Sequence, residues 1–354
     1  MQRSRLPVGG GNIFQKIRAK RSETAAQGME LFDLSIGEPK GPALMSARKA
    51  ARDAVMSEQE AMHAYQYNDS PAVPDFARRF VTAHLKSVMP SKGLDYLPIP
   101  GIKPMLGLLP LACGCALDDI TVATMTRPGY PIPADWCDYH IRVTHYPLPL
   151  NPQNQFRFST ADIESGTDLV MTNYPHNPSG QIATEAWWRA LCEHCSDNDI
   201  RLFNDAAYYS LSHTEESATL AEVAVDYADL SWAEAYTAAK LIGNATGWHV
   251  GAMVGSSDFI GDIKEVKGET DAGFVAPMAA GAIAGLEEDQ AGIEECRQMY
   301  KVRLDTLIGI LSDCGMRLTA QPRAGFYTLW EAPTRAFGQS LAGSEDFNFA
   351  MIDK

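Results

Sequence analysis

Residues 168–181 read DLVMTNYPHNPSGQ, an apolar run that ends in a loop rich in proline and glycine. Such runs are typical of strands that are buried on both faces of a parallel sheet. Similar strand patterns with helical patterns between them occur on both sides of this segment. They are ITVATM (120–125), RVTHYPL (142–148), IRLFND (200–205) and GAMVGS (251–256). This alternation predicts an α/β fold with a mostly parallel sheet and helices on both faces.

The remaining patterns predict helices and a smaller α+β domain. Helices are expected at 12–27, 44–58, 74–88, 102–113, 131–138, 184–196 and 256–266. MELFDLSIGEPKGP (29–42) predicts a short strand before a loop. After residue 270 we expect one or two long helices, a strand pair at 317–333 and the start of a helix at 344. The predicted division is an N-terminal arm with part of the small domain (1–45), a large domain (46–265) and an incomplete small domain (266–354).

Composition and charge argue against nucleic-acid-binding and membrane-spanning classes of protein. The chain has 354 residues and a formal net charge of −14, which argues against nucleic acid as a partner. No run approaches eighteen apolar residues, and the basic N-terminus lacks the apolar stretch of a signal peptide. We therefore expect no membrane span and a cytoplasmic location.

The seven cysteines are scattered along the chain and do not form a disulfide framework. The CEHC run (Cys192–Cys195) could suggest a zinc or redox site, but no second ligand pair accompanies it. It lies within a helical pattern, WWRALCEHCSDND (187–199). Buried helix cysteines are the preferred interpretation, and no metal is predicted.

Five segments carry polar or reactive side chains near the ends of the strand patterns. A glycine that opens a helix, such as Gly101, presents N–H groups to an anion. Asp205 ends an apolar strand, where a carboxylate needs a partner unless it only caps the next helix. Lys240 follows small apolar residues, which is unusual for a surface lysine. The segments are PGIKPMLGLLPLA (100–112), RPGYPIPADW (127–136), TNYPHNPSGQ (172–181), RLFNDAAYYS (201–210) and AAKLIGNATGW (238–248).

The order and spacing of these segments resemble the fold-type I aminotransferases of class I and II, from about residue 31 to about residue 327. Within that group, the chain looks most similar to the LL-diaminopimelate and aspartate aminotransferase-like branch. The resemblance implies pyridoxal 5′-phosphate as cofactor, held by Lys240 as a Schiff base. It also implies transfer of an amino group between an amino acid and a 2-oxo acid.

On the ring side of the cofactor, the resemblance implies five residues. Asp205 would keep the pyridine nitrogen protonated, so that the ring withdraws electrons. Asn177 and Tyr208 would donate hydrogen bonds to the phenolic oxygen, and Tyr130 would stack against the ring. Lys240, Asp205 and Tyr208 are the expected catalytic residues.

The phosphate side and the substrate complete the expected site. The residues implied at the phosphate are Gly101, Ile102, Lys103, Thr237 and His249. The backbone of Gly37 would contact the substrate. Tyr67 would reach the phosphate of a partner subunit, which implies a homodimer.

Three features depart from the family pattern. His249 stands where an arginine usually binds the phosphate, and histidine cannot replace the bidentate guanidinium fork. Ala72 replaces a glycine five residues after Tyr67. No residue matches the arginine that binds the substrate carboxylate near the C-terminus, and Arg323 is the nearest candidate.

Two alternative functions remain open. A lyase or a decarboxylase could use the same cofactor on the same scaffold, because substrate contacts decide which bond breaks. A relative that keeps the fold without catalysis is the second alternative, because fold alone does not fix function. The set Asn177, Asp205, Tyr208 and Lys240 favours an enzyme.

Overall fold

A seven-stranded sheet forms the centre of the computed structural model, which describes residues 13–32, 34, 37–87, 89–90 and 93–353. Its strands are β1 (Leu94–Ile99), β2 (Ile120–Thr124), β3 (Val143–Pro147), β4 (Leu169–Thr172), β5 (Arg201–Asp205), β6 (Trp232–Thr237) and β7 (Gly251–Ser256). Their order across the sheet is β1-β7-β6-β5-β4-β2-β3. β7 is antiparallel to both neighbours, whereas the other neighbouring strands are parallel. The predicted α/β fold with a mostly parallel sheet is confirmed.

Twelve α-helices surround this sheet in the described part of the chain. They are α1 (Ile13–Ala26), α2 (Met45–Val55), α3 (Phe76–Thr82), α4 (Ile102–Leu106), α5 (Leu109–Ala112), α6 (Ile132–Tyr139), α7 (Glu185–Asp197), α8 (Leu220–Ala224), α9 (Ser257–Gly268), α10 (Ala276–Glu288), α11 (Gln290–Asp313) and α12 (Ser344–Ile352). Short 3₁₀ helices occur at Glu60–Met62, Thr160–Asp162, Tyr209–Leu211 and Thr246–Trp248. A two-residue hairpin pairs β8 (Arg335–Ala336) with β9 (Gln339–Ser340).

Side chains that alternate along the strands form one core on each face of the sheet. On β5, Leu202 joins one core and Phe203 the other. The first core includes residues from α2, α3, α7, α8 and α10, and the second includes residues from α4, α5, α6 and α9. Helices therefore cover both faces, which explains why the central strands consist mainly of apolar residues.

Local sequence explains where several helices begin. The Thr184 hydroxyl accepts a hydrogen bond from the amide of Trp187 at the start of α7, at 3.3 Å. Asp289 does the same for α11, where its carboxylate accepts from the amide of Gly292 at 3.0 Å. Side chains of this kind satisfy amides that have no partner within the helix. α10 follows the predicted domain boundary at 265–266, yet it packs against α2 and shares the first core. The division into domains at this boundary stays a prediction.

Three secondary-structure predictions need correction. The described residues of 29–42 contain no strand, and 317–333 hold an isolated bridge between Leu318 and Trp330 instead of a strand pair. The helix expected at 102–113 is divided into α4 and α5 at Gly107 and Leu108. β1 was not predicted from the pattern, because Pro98 interrupts it. Proline fits in β1 because this strand lies at the edge of the sheet.

The cysteines form neither disulfides nor a metal site in the described part of the chain. All seven cysteines are free, and Cys192 and Cys195 are buried in α7, as expected. Among the described residues, no cluster of side chains could hold a metal ion. None of the described helices combines the length and the apolar character needed to cross a membrane.

Candidate functional site

The carboxyl ends of three neighbouring strands place polar residues at one edge of the sheet. β4, β5 and β6 are parallel, and Thr172 pairs with Asn204 while Asp205 pairs with Ala235. Asn173, Asp205 and Thr237 therefore lie at the same edge. Ligands of open α/β sheets bind at this edge, in the loops that follow the strands.

Asp205 is a buried carboxylate at the end of β5, with a relative exposure of 8%. Its Oδ1 accepts a hydrogen bond from the Ala207 amide at 3.0 Å. Burial raises the pKa of Asp205 to about 6, although the Ala207 amide and the nearby Lys240 partly oppose this shift. A cation or a charge-assisted donor beside this carboxylate would stabilise its ionised form.

Lys240 lies in the turn that follows β6, close to this carboxylate. Its Nζ is 6.0 Å from the centroid of the Tyr208 ring. Burial lowers the pKa of Lys240, while Asp205 and Glu38 oppose this shift. A lowered pKa increases the fraction of neutral amine, which is the nucleophilic form.

Tyr208 belongs to a chain of hydrogen bonds that leads away from the sheet. Its hydroxyl lies 2.9 Å from the hydroxyl of Tyr327, which in turn donates to the carbonyl oxygen of Gly37 at 2.9 Å. Burial raises the pKa of both tyrosines. Both hydroxyls therefore stay protonated at neutral pH and can donate hydrogen bonds.

The loop after β4 is anchored by the side chain of Asn173. This side chain donates to the carbonyl oxygen of Asp205 at 2.9 Å and accepts from the amide of Asn177 at 3.0 Å. Asn173 thus connects two of the predicted residues. A small pocket next to it is lined by Tyr130, Asp205 and six apolar or hydroxyl side chains from α4, the loop after β2, α6, β4 and β5.

The residues predicted to hold the phosphate flank adjoining strands. Ile99 pairs with Gly251, and Gly251 pairs with Thr237, so the loops at Gly101 and His249 begin near the end of β6. Gly101 precedes α4 with a φ of 98°, in the region that favours glycine. Exposed His249 also has a positive φ, of 53°.

The residues predicted to bind the phosphate differ in the groups that they can present to it. Ile102 is buried in the second core, so only its backbone can face a ligand, whereas Lys103 is exposed. The Thr237 hydroxyl accepts from the Ala239 amide at 3.2 Å and so orders the turn before Lys240.

Tyr67 and Arg323 lie in different surroundings from Asp205 and Lys240. Tyr67 is 57% exposed, and its amide donates to the carbonyl oxygen of Ala272 at 2.9 Å. Its exposed ring is therefore available to another molecule. The Arg323 guanidinium lies 3.1 Å from the Thr214 hydroxyl and 3.0 Å from Glu216, so it is engaged away from Asp205 and Lys240.

Comparison with known proteins identifies the family. The family model for class I and II aminotransferases matches residues 29–343. The chain belongs to the class I and II aminotransferase family. It is therefore a pyridoxal-phosphate-dependent aminotransferase, and the predicted enzyme class and cofactor are confirmed.

Relatives and solved structures of aminotransferases agree with this result. The LL-diaminopimelate aminotransferase of Desulforudis audaxviator is 27% identical over 337 residues, which are 92% of this chain and 81% of that protein. The enzyme of the same name from Methanocaldococcus jannaschii is 27% identical, over 96% of this chain and 80% of its own length. The aspartate aminotransferase structure from Rhizobium meliloti has a TM-score of 0.80 at 20% identity, and the two chains are covered to 94% and 82%. At that identity the structural likeness supports the fold.

Two residues of this aminotransferase site were not predicted from the sequence. Asn173 lies four positions before Asn177, and its place at the end of a strand was a usable signal. Tyr327 lies in the AGFY run, where nothing local indicates a contact with Tyr208 or Gly37 across the chain. Only the folded structure brings these three residues together.

The raised pKa of Asp205 predicts a specific dependence of stability on pH. Because this pKa rises from 3.8 to about 6 on folding, the cofactor-free folded state keeps a proton that the unfolded chain loses between pH 4 and 6. The contribution of Asp205 to the free energy of unfolding should therefore fall by about 3 kcal/mol as pH rises through this range. The variant Asp205→Asn cannot ionise and should lack this fall.

Urea unfolding of both cofactor-free proteins in the same buffers, from pH 4 to 7, measures the difference between them. The other titrating groups are common to both proteins, so their contributions cancel. The stability of Asp205→Asn relative to the parent should rise with pH. A difference that stays constant from pH 4 to 7 would contradict the raised pKa.

Proposed function

We propose that Lys240, Asp205 and Tyr208 form the catalytic centre of this aminotransferase. The observation that carries the proposal is their convergence at one edge of the sheet, with the Lys240 amine 6.0 Å from the Tyr208 ring and within electrostatic reach of Asp205. These are three different chemical types: an amine that can add to a carbonyl, a buried carboxylate and a phenolic donor. Transamination uses the amine and the carboxylate as partners of the cofactor, and a phenolic donor can stabilise charge on its ring.

The residues present fit pyridoxal phosphate. Within the described chain, the donor to the buried Asp205 carboxylate is the Ala207 amide, which leaves room for a charge-assisted donor such as a protonated pyridine nitrogen. Tyr130 lines the pocket beside this carboxylate and could stack on a flat ring. When bound, this cofactor supplies an aldehyde and an electron-withdrawing ring.

The roles of the protein side chains follow from their positions. The Lys240 amine is partly dehydrated, so it is available both as a nucleophile and as a carrier of the proton at the substrate α-carbon. Asp205 would hold positive charge on the ring nitrogen of the bound cofactor. Tyr208 and Asn177 would stabilise negative charge on its ring oxygen by donating hydrogen bonds.

The phosphate would be held by backbone and side chains of two loops. Gly101, Ile102 and Lys103 offer amides and a cation, and Thr237 and His249 offer a hydroxyl and an imidazole. We also propose a homodimer in which the partner subunit's Tyr67 reaches this phosphate. An exposed aromatic neighbour supports this assembly: Tyr65 is 70% exposed, and its ring centroid lies 5.6 Å from that of Tyr67.

The proposed substrates are an amino acid and a 2-oxo acid. The two curated relatives described above are named for LL-diaminopimelate, which makes it the first amino acid to test. The backbone of Gly37 would contact the substrate carboxylate. A cytoplasmic location and the division into domains at residues 45 and 265 stay predictions.

The reaction type is tested by following 2-oxo acid formation from amino acids, with and without added 2-oxo acid acceptors. Transamination requires an acceptor, and the acceptor should gain the amino group in a one-to-one ratio with product. Product formation with release of ammonia and no acceptor would indicate elimination, and release of carbon dioxide would indicate decarboxylation. Either of these outcomes, or no turnover with any amino acid, would overturn the proposed reaction.

A further inference from the structure

We propose that Tyr327 is a positioning residue that couples the loop at Gly37 to the hydroxyl of Tyr208. The inference rests on the proposed function in one respect, namely the donation of a hydrogen bond from Tyr208 to the cofactor ring. The contact between Tyr327 and Gly37 does not depend on that role.

The number of hydrogen atoms fixes the direction of both bonds. The carbonyl oxygen of Gly37 can only accept, so the single hydroxyl hydrogen of Tyr327 points toward it, at 2.9 Å. Tyr208 must then be the donor in the 2.9 Å bond between the two hydroxyls. The hydrogen that Tyr208 would give to a ligand is therefore already directed to Tyr327.

The contact at Gly37 is possible only for glycine. A Cβ atom on this residue would lie 1.9 Å from Cε1 of Tyr327, which is far inside van der Waals contact. The Tyr327 ring is also held in place from its other sides. It packs edge-to-face on Tyr208 with centroids 5.4 Å apart, and its neighbour Phe326 packs on Tyr300 of α11.

Two arrangements of hydrogen follow. In the first, Tyr208 donates to Tyr327 and Tyr327 donates to Gly37. In the second, Tyr208 donates to an acceptor in the site, Tyr327 donates to Tyr208, and the carbonyl oxygen of Gly37 is released. A hydroxyl that accepts a hydrogen bond is a better donor, so the second arrangement strengthens the bond from Tyr208.

The coupling has a consequence for substrate binding. The loop at Gly37 is the proposed contact for the substrate carboxylate. When Tyr208 turns toward the ring oxygen, this loop loses its bond to Tyr327 and can adjust to a substrate. Charged and titratable groups near the relay are Lys240, Asp205, Tyr130 and Glu38, which is next to Gly37 and acts electrostatically on Lys240. Among the described contacts of Tyr327, the hydrogen bonds are those to Tyr208 and Gly37.

Limited trypsin digestion of the cofactor-free protein tests the contact at Gly37. Lys40 is exposed and is followed by Gly41, so cleavage there reports on the freedom of this loop. Tyr327→Phe should speed cleavage after Lys40 about fivefold. Tyr208→Phe keeps the bond between Tyr327 and Gly37 and should change the rate less than twofold. Equal rates in parent and Tyr327→Phe would overturn the contact.

The pH dependence of the visible absorption of the cofactor-loaded protein tests the coupling. Loss of a donor to the anionic ring oxygen makes that oxygen more basic. Tyr208→Phe should therefore raise the pH at the midpoint of the absorption change by about one unit. Tyr327→Phe should raise it by a smaller amount. The double variant should match Tyr208→Phe, because Tyr327 acts only through Tyr208.

The outcomes separate the two proposals. An unchanged midpoint in Tyr208→Phe would refute the proposed role of Tyr208, and the digestion would then decide the Gly37 contact by itself. A shift in Tyr208→Phe with no shift in Tyr327→Phe would overturn the coupling. Additive shifts in the double variant would do the same, since they would show that Tyr327 acts by another route.

Discussion

Replacement of Lys240 by alanine should abolish amino transfer, with a fall in kcat of at least about 10⁴-fold. The reason is that, in the proposed function, one amine serves both as the nucleophile that holds the cofactor and as the carrier of the α-carbon proton. Lys240→Arg should be equally inactive, because a guanidinium stays protonated and cannot add to an aldehyde. Turnover is measured in excess pyridoxal phosphate, so that weak binding does not account for the loss.

A chemical readout separates the role of Lys240 from loss of structure. Borohydride treatment of the loaded parent should attach the cofactor to the peptide that contains Lys240, and this peptide should be unmodified in both variants. Lys264→Ala removes an exposed lysine of α9 and should keep both the activity and the trapped cofactor. Attachment to another lysine in the parent, or more than about a tenth of the activity in Lys240→Ala, would refute the assignment.

The parts of the site that the sequence could predict are those whose residues follow buried strands. Asp205 ends the largely apolar strand β5 and Lys240 follows β6 by three residues, and the parallel order of these strands brings them together. A carboxylate at the end of such a strand is informative because burial is costly without a partner. The same rule applies to Glu234, which was not singled out although it lies in the middle of β6.

Glu234 shows that a carboxylate in a buried strand does not by itself identify a site residue. This carboxylate is fully buried, yet it accepts hydrogen bonds from the amides of Leu220 and Ala221, from Asn204 and from Tyr236. It caps the start of α8 and therefore has a structural partner. Asp205 and Glu234 look alike in the sequence, and only their neighbours distinguish a site residue from a structural one.

Contacts between distant segments were beyond sequence reasoning for a physical reason. Tyr327 and Gly37 are separated by 290 residues, and neither has a local pattern that specifies the other. Short strands with few apolar residues were also poorly predicted. The segment 317–333 alternates polar and apolar residues, yet it forms two isolated bridges, Leu318 with Trp330 and Ala324 with Ser212. Its middle pairs with loops, as in the bond from the Arg323 amide to Gly180.

A buried lysine outside the catalytic centre connects stability to the position of Tyr67. Lys267, at the end of α9, has no exposed surface, and its Nζ bonds to Asp271 at 2.7 Å and to Asn68 at 3.0 Å. Asp271 also accepts from the amide of Gly273 at 2.8 Å. A Cβ at Gly273 would lie 2.6 Å from the Tyr67 nitrogen, so these segments are closely packed.

Lys267→Met should lower the free energy of unfolding by about 3–5 kcal/mol, because it leaves the Asp271 carboxylate without its cation. The double variant Lys267→Met/Asp271→Leu replaces the ion pair by apolar groups and should recover most of this loss. Lys264→Met, on the exposed side of the same helix, is the matched control and should change stability by less than about 0.5 kcal/mol.

Urea unfolding at one pH measures the stability of all four proteins. If Lys267→Met is as stable as Lys264→Met, the buried pair does not hold the turn at Tyr67. A double variant no more stable than Lys267→Met would instead mean that the network stabilises this turn through the geometry of its hydrogen bonds.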